Sequence, residues 1–160
     1  MTVATGTRPL QANRRRPETI TPPASSDAAR RRMKSTRRSG TREEAALCSA
    51  IRVLGIHFMV QGRITNSRRT IDVVIRRPKV AIFVDGCFWH GCPRHATWPR
   101  ANASWWRAKI QRNAARDRSS DRLLRSAGWG VIRIWTHERP EAAAARILNY
   151  LRQRRRKTRP

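Results

Sequence analysis

The chain has 160 residues, with 36 Lys and Arg against 10 Asp and Glu and a formal net charge of +26. An excess this large, nearly all of it arginine, implies a polyanionic partner, nucleic acid before a membrane surface. No apolar run reaches the ~18 residues a spanning helix needs. The start lacks the apolar core of a signal peptide, so one cytoplasmic domain with tails is expected.

Residues 1–28 carry four of the nine prolines and the cluster Arg14-Arg15-Arg16, with few bulky apolar side chains. They are expected to be a disordered basic tail. The basic stretch to Gly40 reads as an arm or short helix. Thr41-Arg-Glu-Glu44 is a capping box, followed by Leu47, Ile51 and Leu54 at helical spacing and a stop at Gly55. Cys48 falls inside that helix as a core residue. A first strand is expected over Ile56–Val60, a polar loop over Gln61–Thr70, and a second strand over Ile71–Ile75. The apolar run Lys79–Val84 reads as a strand buried on both faces. A long helix is expected over Ser104–Ala127, a strand over Val131–Trp135, and a last helix from Glu138-Arg139-Pro140 through Leu151, with 151–160 a basic tail. This order argues an α/β fold, a mixed sheet covered by helices on both faces.

Two groups of side chains could carry chemistry. Cys87, Cys92 and His95 have the spacing Cys-x4-Cys-x2-His, and His137 ends a neighbouring strand. Thiolate and imidazole in a set of four suit structural Zn2+, with His90 an alternative fourth ligand by spacing. The second group is Asp72 within one strand, Asp85 at the end of the next, and Glu44 on the preceding helix. Such carboxylates could hold Mg2+, while His90 could take a proton from an attacking water. Together they are the kit for phosphodiester hydrolysis. The bland alternative makes Asp72 and Glu44 ion-pair partners of arginines. Among the six tryptophans, Trp129 and Trp135 fit the core. Phe88-Trp89, Trp98 and Trp105-Trp106 lie in or near the site loop, and Trp89 and Trp106 are the better candidates for contact with DNA bases.

Three further runs complete a pattern with Asp72: Phe83-Val-Asp-Gly-Cys-Phe-Trp-His-Gly-Cys-Pro-x-His95, Trp106-x-x-Lys-Ile-x-x-Asn113-x-x-Arg-Asp117 and Gly128-Trp-x-Val-x-Arg-Ile-Trp135. Across residues 29–150 the chain resembles the very short patch repair (Vsr) endonucleases, and Thr41-x-x-Glu44 matches that family's first helix. The resemblance implies a bacterial, Mg2+-dependent nuclease of the restriction-endonuclease-like fold, nucleoid-associated when on DNA. It would nick one strand 5′ to the T of T:G mismatches, which arise by deamination of 5-methylcytosine. By motif match Asp72 is the metal-binding carboxylate, His90 the base, and Glu44 the support of a water on the metal. Val84 offers its backbone carbonyl to the metal. Cys87, Cys92, His95 and His137 match the structural Zn2+ ligands, and Phe88, Trp89 and Trp106 the aromatics that wedge into double-stranded DNA. Two positions depart: Asp85 stands where the family often has histidine, and Thr136 where glutamate is familiar. Asp85 is expected to strengthen Mg2+ binding or to replace a phosphate contact. A monomer is expected, because a single-strand nick needs one active site; repair-protein partners are not indicated.

Two rival readings stand beside this one. One is a non-catalytic zinc-containing nucleic-acid-binding module with structural carboxylates. The other is a restriction-type nuclease with a different DNA target.

Overall fold

The helix that opens the folded core starts at a reciprocal cap. In the computed structural model, which describes residues 21–35, 39–64 and 69–157, the Thr41 hydroxyl accepts the Glu44 N–H at 3.2 Å, and a Glu44 carboxylate oxygen accepts the Gly40 N–H at 2.8 Å. Helix α2 (Arg42–Val53) then turns Leu47, Cys48 and Ile51 inward. It ends ahead of Gly55, whose φ of +66° is costly for any residue with a Cβ. Before it lies α1 (Asp27–Ser35); after it come β1 (Met59–Arg63), β2 (Thr70–Ile75), β3 (Val80–Asp85), α3 (Ala103–Ser126), β4 (Gly130–Trp135) and α4 (Pro140–Lys157).

The four strands form one sheet in the order β1-β2-β3-β4. β1, β2 and β3 are an antiparallel meander, while β4 returns through α3 to lie parallel to β3, from Val80↔Gly130 to Asp85↔Trp135. β3 is sandwiched. Val80 and Ile82 pack with Leu47 and Ile51 of α2 and with Ala143, Ala144, Ile147 and Leu151 of α4. Ala81 and Phe83 pack with Ile71, Val74 and Leu124 of α3 on the other face. This is the expected mixed sheet between helical layers, a restriction-endonuclease-like arrangement. Because β3 and β4 are parallel, their C-terminal ends emerge at the same edge, where ligands gather in open α/β sheets.

Some boundaries differ from expectation. β1 starts at Met59 and takes in Gln61–Arg63, which read as loop, because pairing rather than apolar content defines it: Gly62 opposes Ile71 and Arg63 opposes Thr70. A Cβ on Gly62 would stand 2.3 Å from Val74 Cγ2, so the glycine lets the two strands close up. The last helix runs on to Lys157, past the end expected near Leu151, with Arg152, Arg155 and Arg156 exposed. Most of the tail expected over residues 1–28 lies outside the described residues. Among the described residues, no helix is long and apolar enough to cross a membrane.

Candidate active site

Pairing between β2 and β3 runs from Ile75↔Val80 to Val73↔Ile82 and goes no further. One step beyond, the Asp72 side chain takes over: its Oδ2 accepts the Val84 N–H at 2.8 Å. Burial raises the Asp72 carboxyl to about 6; the Val84 N–H opposes the rise, Glu44 and Asp85 add to it, and His90 opposes it. These groups therefore share one electrostatic neighbourhood. A half-buried carboxyl pushed up by two other carboxylates is one that a cation would stabilise in its ionised form. Glu44 does double duty there, since its oxygens also hold the α2 cap.

His90 follows β3 by one turn, its N–H donating to Gly86 O at 3.1 Å. Its Nδ1 lies 2.6 Å from Oδ2 of Asp117 on α3. An ionised carboxylate can only accept, so Nδ1 carries the hydrogen and Nε2 is left as the basic nitrogen. Burial lowers the His90 pKa, but the Asp117 hydrogen bond and the charges of Asp85 and Asp117 outweigh it and raise the imidazole above its ordinary value. Burial pushes Asp117 up, yet His90, Arg133 and Arg116 together hold it below the usual carboxylate range. Asn113, one turn earlier on α3, donates to Trp89 O at 2.9 Å and pins the loop beside His90.

Asp85 stands with His90 and Asp117 in a second group whose ligand atoms lie within 4.8 Å of one another and could hold a metal ion. Along β3 the residues Ala81 and Phe83 face α3, and Asp85 continues that face. Only 3 % exposed, it turns both oxygens to Nη1 of Arg133, each at 2.8 Å. Its Oδ1 is also 3.5 Å from His90 Nδ1. Arg133 reaches on from β4 to Asp121, with Nε at 3.2 Å and Nη2 at 3.0 Å from Oδ1, and its guanidinium lies 4.7 Å over the Phe83 ring.

At the back of the same loop, Cys87, Cys92, His95 and His137 bring their ligand atoms within 4.8 Å of one another. Cys87 Sγ lies 3.1 Å and Cys92 Sγ 3.7 Å from His137 Nδ1, and Cys92 Sγ 3.9 Å from His95 Nδ1. A tetrahedral ion bound by two sulfurs and two nitrogens spaces its donors roughly 3.3–3.8 Å apart, so both donor type and spacing fit zinc. Burial raises the Cys92 thiol, but the backbone N–H groups of Arg94 and His95, the Cys87 thiol and the Arg94 charge together draw it below its ordinary value, toward the ligating thiolate. His137 completes this set, while His90, the alternative by spacing, turns to Asp117.

A family model described as DNA mismatch endonuclease Vsr matches residues 25–95. The type II nicking enzyme V.NaeI of Lentzea aerocolonigenes is 41% identical over 133 residues, 81% of this chain and 80% of that protein. The chain belongs to the Vsr family of DNA endonucleases. The type II nicking enzyme V.XorIIP of Xanthomonas oryzae pv. oryzae is 33% identical over 74% of this chain and 88% of its own length. The DNA mismatch endonuclease Vsr of Escherichia coli is 32% identical over 65% and 68%.

The stretch that matches the Vsr family model holds Glu44, Asp72, His90, Cys87, Cys92 and His95 and stops short of Asp117, Arg133 and His137. The α3 and β4 partners were the ones sequence reasoning missed. Asn113, Asp117 and Asp121 recur every four residues, and the two aspartates are the only acids of a helix otherwise rich in arginine. That spacing was the available signal. Arg133 stands in the Gly128–Trp135 run that carries the resemblance, but as one arginine among so many it drew no role.

The aromatics that the Vsr resemblance assigns to DNA also gather. Phe88 lies 5.1 Å from both Trp89 and Trp106, and Trp105 is 4.8 Å from Trp106. Lys109 Nζ stands 4.5 Å over Trp105 and 5.4 Å over Trp89 and Trp106. Trp98, by contrast, is 52 % exposed and stands outside this cluster. Phe88 and Trp89 of this cluster immediately precede His90 in the chain.

Proposed function

We propose that this nuclease nicks one strand of duplex DNA on the 5′ side of the T in a T:G mismatch, by Mg2+-dependent hydrolysis. The observation that carries the hydrolytic part is the 2.6 Å His90–Asp117 contact next to the half-buried Asp72. The mismatch part is supported by the name of the E. coli relative and by the aromatic cluster beside His90.

Asp72 and the Val84 carbonyl would hold Mg2+, an oxygen-donor set of the kind that ion prefers, and the ion would neutralise charge at the scissile phosphate. His90 Nε2 takes the proton from the attacking water as its oxygen bonds to phosphorus and the bond to the leaving sugar oxygen breaks. Asp117 keeps Nδ1 protonated beforehand and stabilises the imidazolium afterwards. Glu44, anchored at the α2 cap, would orient a water near Asp72. Cys87, Cys92, His95 and His137 would bind a structural Zn2+ that fixes the loop carrying His90 from behind. Phe88, Trp89 and Trp106 would enter the duplex at the mismatch, giving up their mutual packing for base contacts. One chain is enough for one nick, so the enzyme acts as a monomer in the cytoplasm.

Mapping strand scission on a T:G duplex tests this, with matched, methylated and other mismatched duplexes alongside, in Mg2+ and in EDTA. A single Mg2+-dependent nick 5′ to the mismatched T is expected. No scission in Mg2+, or scission unchanged by Asp72→Ala, would leave a non-catalytic binding module. Because V.NaeI and V.XorIIP are named type II nicking enzymes, a restriction-type target is the second reading, shown by cleavage of plain or methylated duplex in preference to T:G.

A further inference from the structure

Arg133 lies at the centre of three carboxylates. It holds both oxygens of Asp85 at 2.8 Å and Asp121 Oδ1 at 3.0 Å, and its Nη2 is 3.5 Å from Asp117 Oδ1. Asp117 directs its other oxygen, Oδ2, to His90. The guanidinium is thus one bond removed from the imidazole, and its planar face rests on Phe83. A guanidinium suits such a position because it stays charged at any working pH and offers donors in a fixed plane to several acceptors at once. Without it, Asp85 and Asp117 would face one imidazole with no guanidinium between them, and Asp117 Oδ1 would lose its contact with Nη2. Asp85 answers a matching question. Its carboxylate faces a cation that is already part of the fold.

We propose that Arg133 is a positioning residue: paired with Asp85 as its counter-charge, it sets Asp117, and through Asp117 the His90 imidazole, and Asp85 takes no part in holding Mg2+. This rests on His90 being the base and Asp72 the metal carboxylate. It separates the two acids that strand position alone would put in one role. Asp72 reads out toward the α2 cap, and Asp85 reads across to α3.

The test uses Asp85→Asn, Arg133→Gln, the double variant, Arg133→Lys and Asp72→Asn, purified with zinc bound and checked for a cooperative thermal transition. Two measurements need no cleavage. Mn2+ binding to DNA-free protein, followed by calorimetry, is expected to stay within about twofold of wild type for Asp85→Asn and to weaken at least about tenfold for Asp72→Asn. Nitrogen-detected NMR of His90 is expected to show the Nδ1–H tautomer in wild type and a mixture of tautomers in Arg133→Gln. In cleavage, Arg133→Gln is expected to lower kcat by about 100-fold with KM changed less than about threefold. Arg133→Lys should recover no more than about a tenth of the loss, since an ammonium cannot span three carboxylates. The double variant should be no slower than Arg133→Gln, because removing Arg133 alone leaves the Asp85 charge 3.5 Å from His90 without its counter-charge.

Loss of Mn2+ affinity in Asp85→Asn equal to that in Asp72→Asn would overturn the proposal. So would an Arg133→Gln enzyme that raises KM at unchanged kcat, the mark of a DNA contact, or one that keeps the His90 tautomer. If Arg133→Gln fails to fold, Arg133→Lys is judged by the same tautomer and kcat criteria. If wild type cuts no duplex, the cleavage reading falls, while the Mn2+ and tautomer results still decide the role of Arg133.

Discussion

His90 and Asp117 meet across the gap between the loop after β3 and helix α3, with Nδ1 2.6 Å from Oδ2. The contact fixes the imidazole in one tautomer, with Nε2 as its basic nitrogen. Replacing the acceptor by an amide keeps the volume but removes the charge and leaves one oxygen to serve both His90 and Arg133. Asp117→Asn should therefore lower the single-turnover cleavage rate by about 10²–10³-fold with little change in DNA affinity, and His90→Ala by about 10²–10⁴-fold. A rate within threefold of wild type for Asp117→Asn would remove the dyad from the chemistry.

The same contact sets a pH dependence. His90 is raised above its ordinary value, chiefly through Asp117 and Asp85 acting against burial. A base must be neutral to accept a proton, so cleavage should rise with pH through a midpoint above about 6.5. Asp117→Asn removes one raising contribution and should move that midpoint to lower pH. A midpoint unchanged, or moved upward, contradicts the assignment.

Asp72 gives a prediction about stability. Its folded pKa, about 6, stands above the ordinary 3.8. A raised folded value means that the group favours the folded state fully only below pH ~4, and that this contribution is lost as pH rises toward and through 6. The shift of about two units corresponds to roughly 2–3 kcal/mol at most. Without divalent metal, Asp72→Asn should thus be more stable than wild type at pH 7.5, and the difference should shrink by pH 4.5. Denaturant unfolding at the two pH values checks the sign, and millimolar Mg2+ should restore the wild type.

The cysteine–histidine set predicts one zinc per chain. Cys87→Ser should lose it, as read by elemental analysis, and should also lose activity although Cys87 belongs to the zinc set and not to the Asp72 neighbourhood. His90 lies between Cys87 and Cys92, so freeing one anchor lets the imidazole wander. Full zinc occupancy in Cys87→Ser would refute the ligand set.

Trp89 packs on Phe88 and lies 5.9 Å from Trp106. Trp89→Ala should reduce the preference for T:G over matched duplex by about tenfold while changing affinity for matched DNA by less than threefold. Equal losses on both would count against insertion at the mismatch.

Much of this was legible in the chain itself. The capping box at Thr41–Glu44, the unbroken apolar run of β3 and the Gly128 stop of α3 each rest on short-range physics, and each appears where it was expected. β1 was displaced because a strand so short is defined by its partner, and Gly62 matters only for its closeness to Val74. Of the site, Asp72, His90 and the four soft ligands are marked by residue type. Asp117 and Arg133 act through position alone, on a helix and a strand whose relative placement no local pattern states. Asp85 was the instructive case. Its place at the strand end puts it in the electrostatic neighbourhood of Asp72, and alternation along β3 also turns it to Arg133 and His90 on the α3 face.

The parallel pairing of β3 and β4 has a consequence for the order in which the molecule is made. Three of the four soft ligands emerge from translation together, within residues 87–95, but His137 follows only after α3 and β4. The Asp85 carbonyl, bonded to the Thr136 N–H at 3.0 Å, shows that His137 arrives only when β4 has docked beside β3. The same docking delivers Arg133, and α3 brings Asp117. A nascent chain therefore holds its histidine and cysteines without the acid that directs the one or the last ligand that closes the other. The proposed base and the proposed zinc set are thus both completed only where α3 and β4 pack against β3.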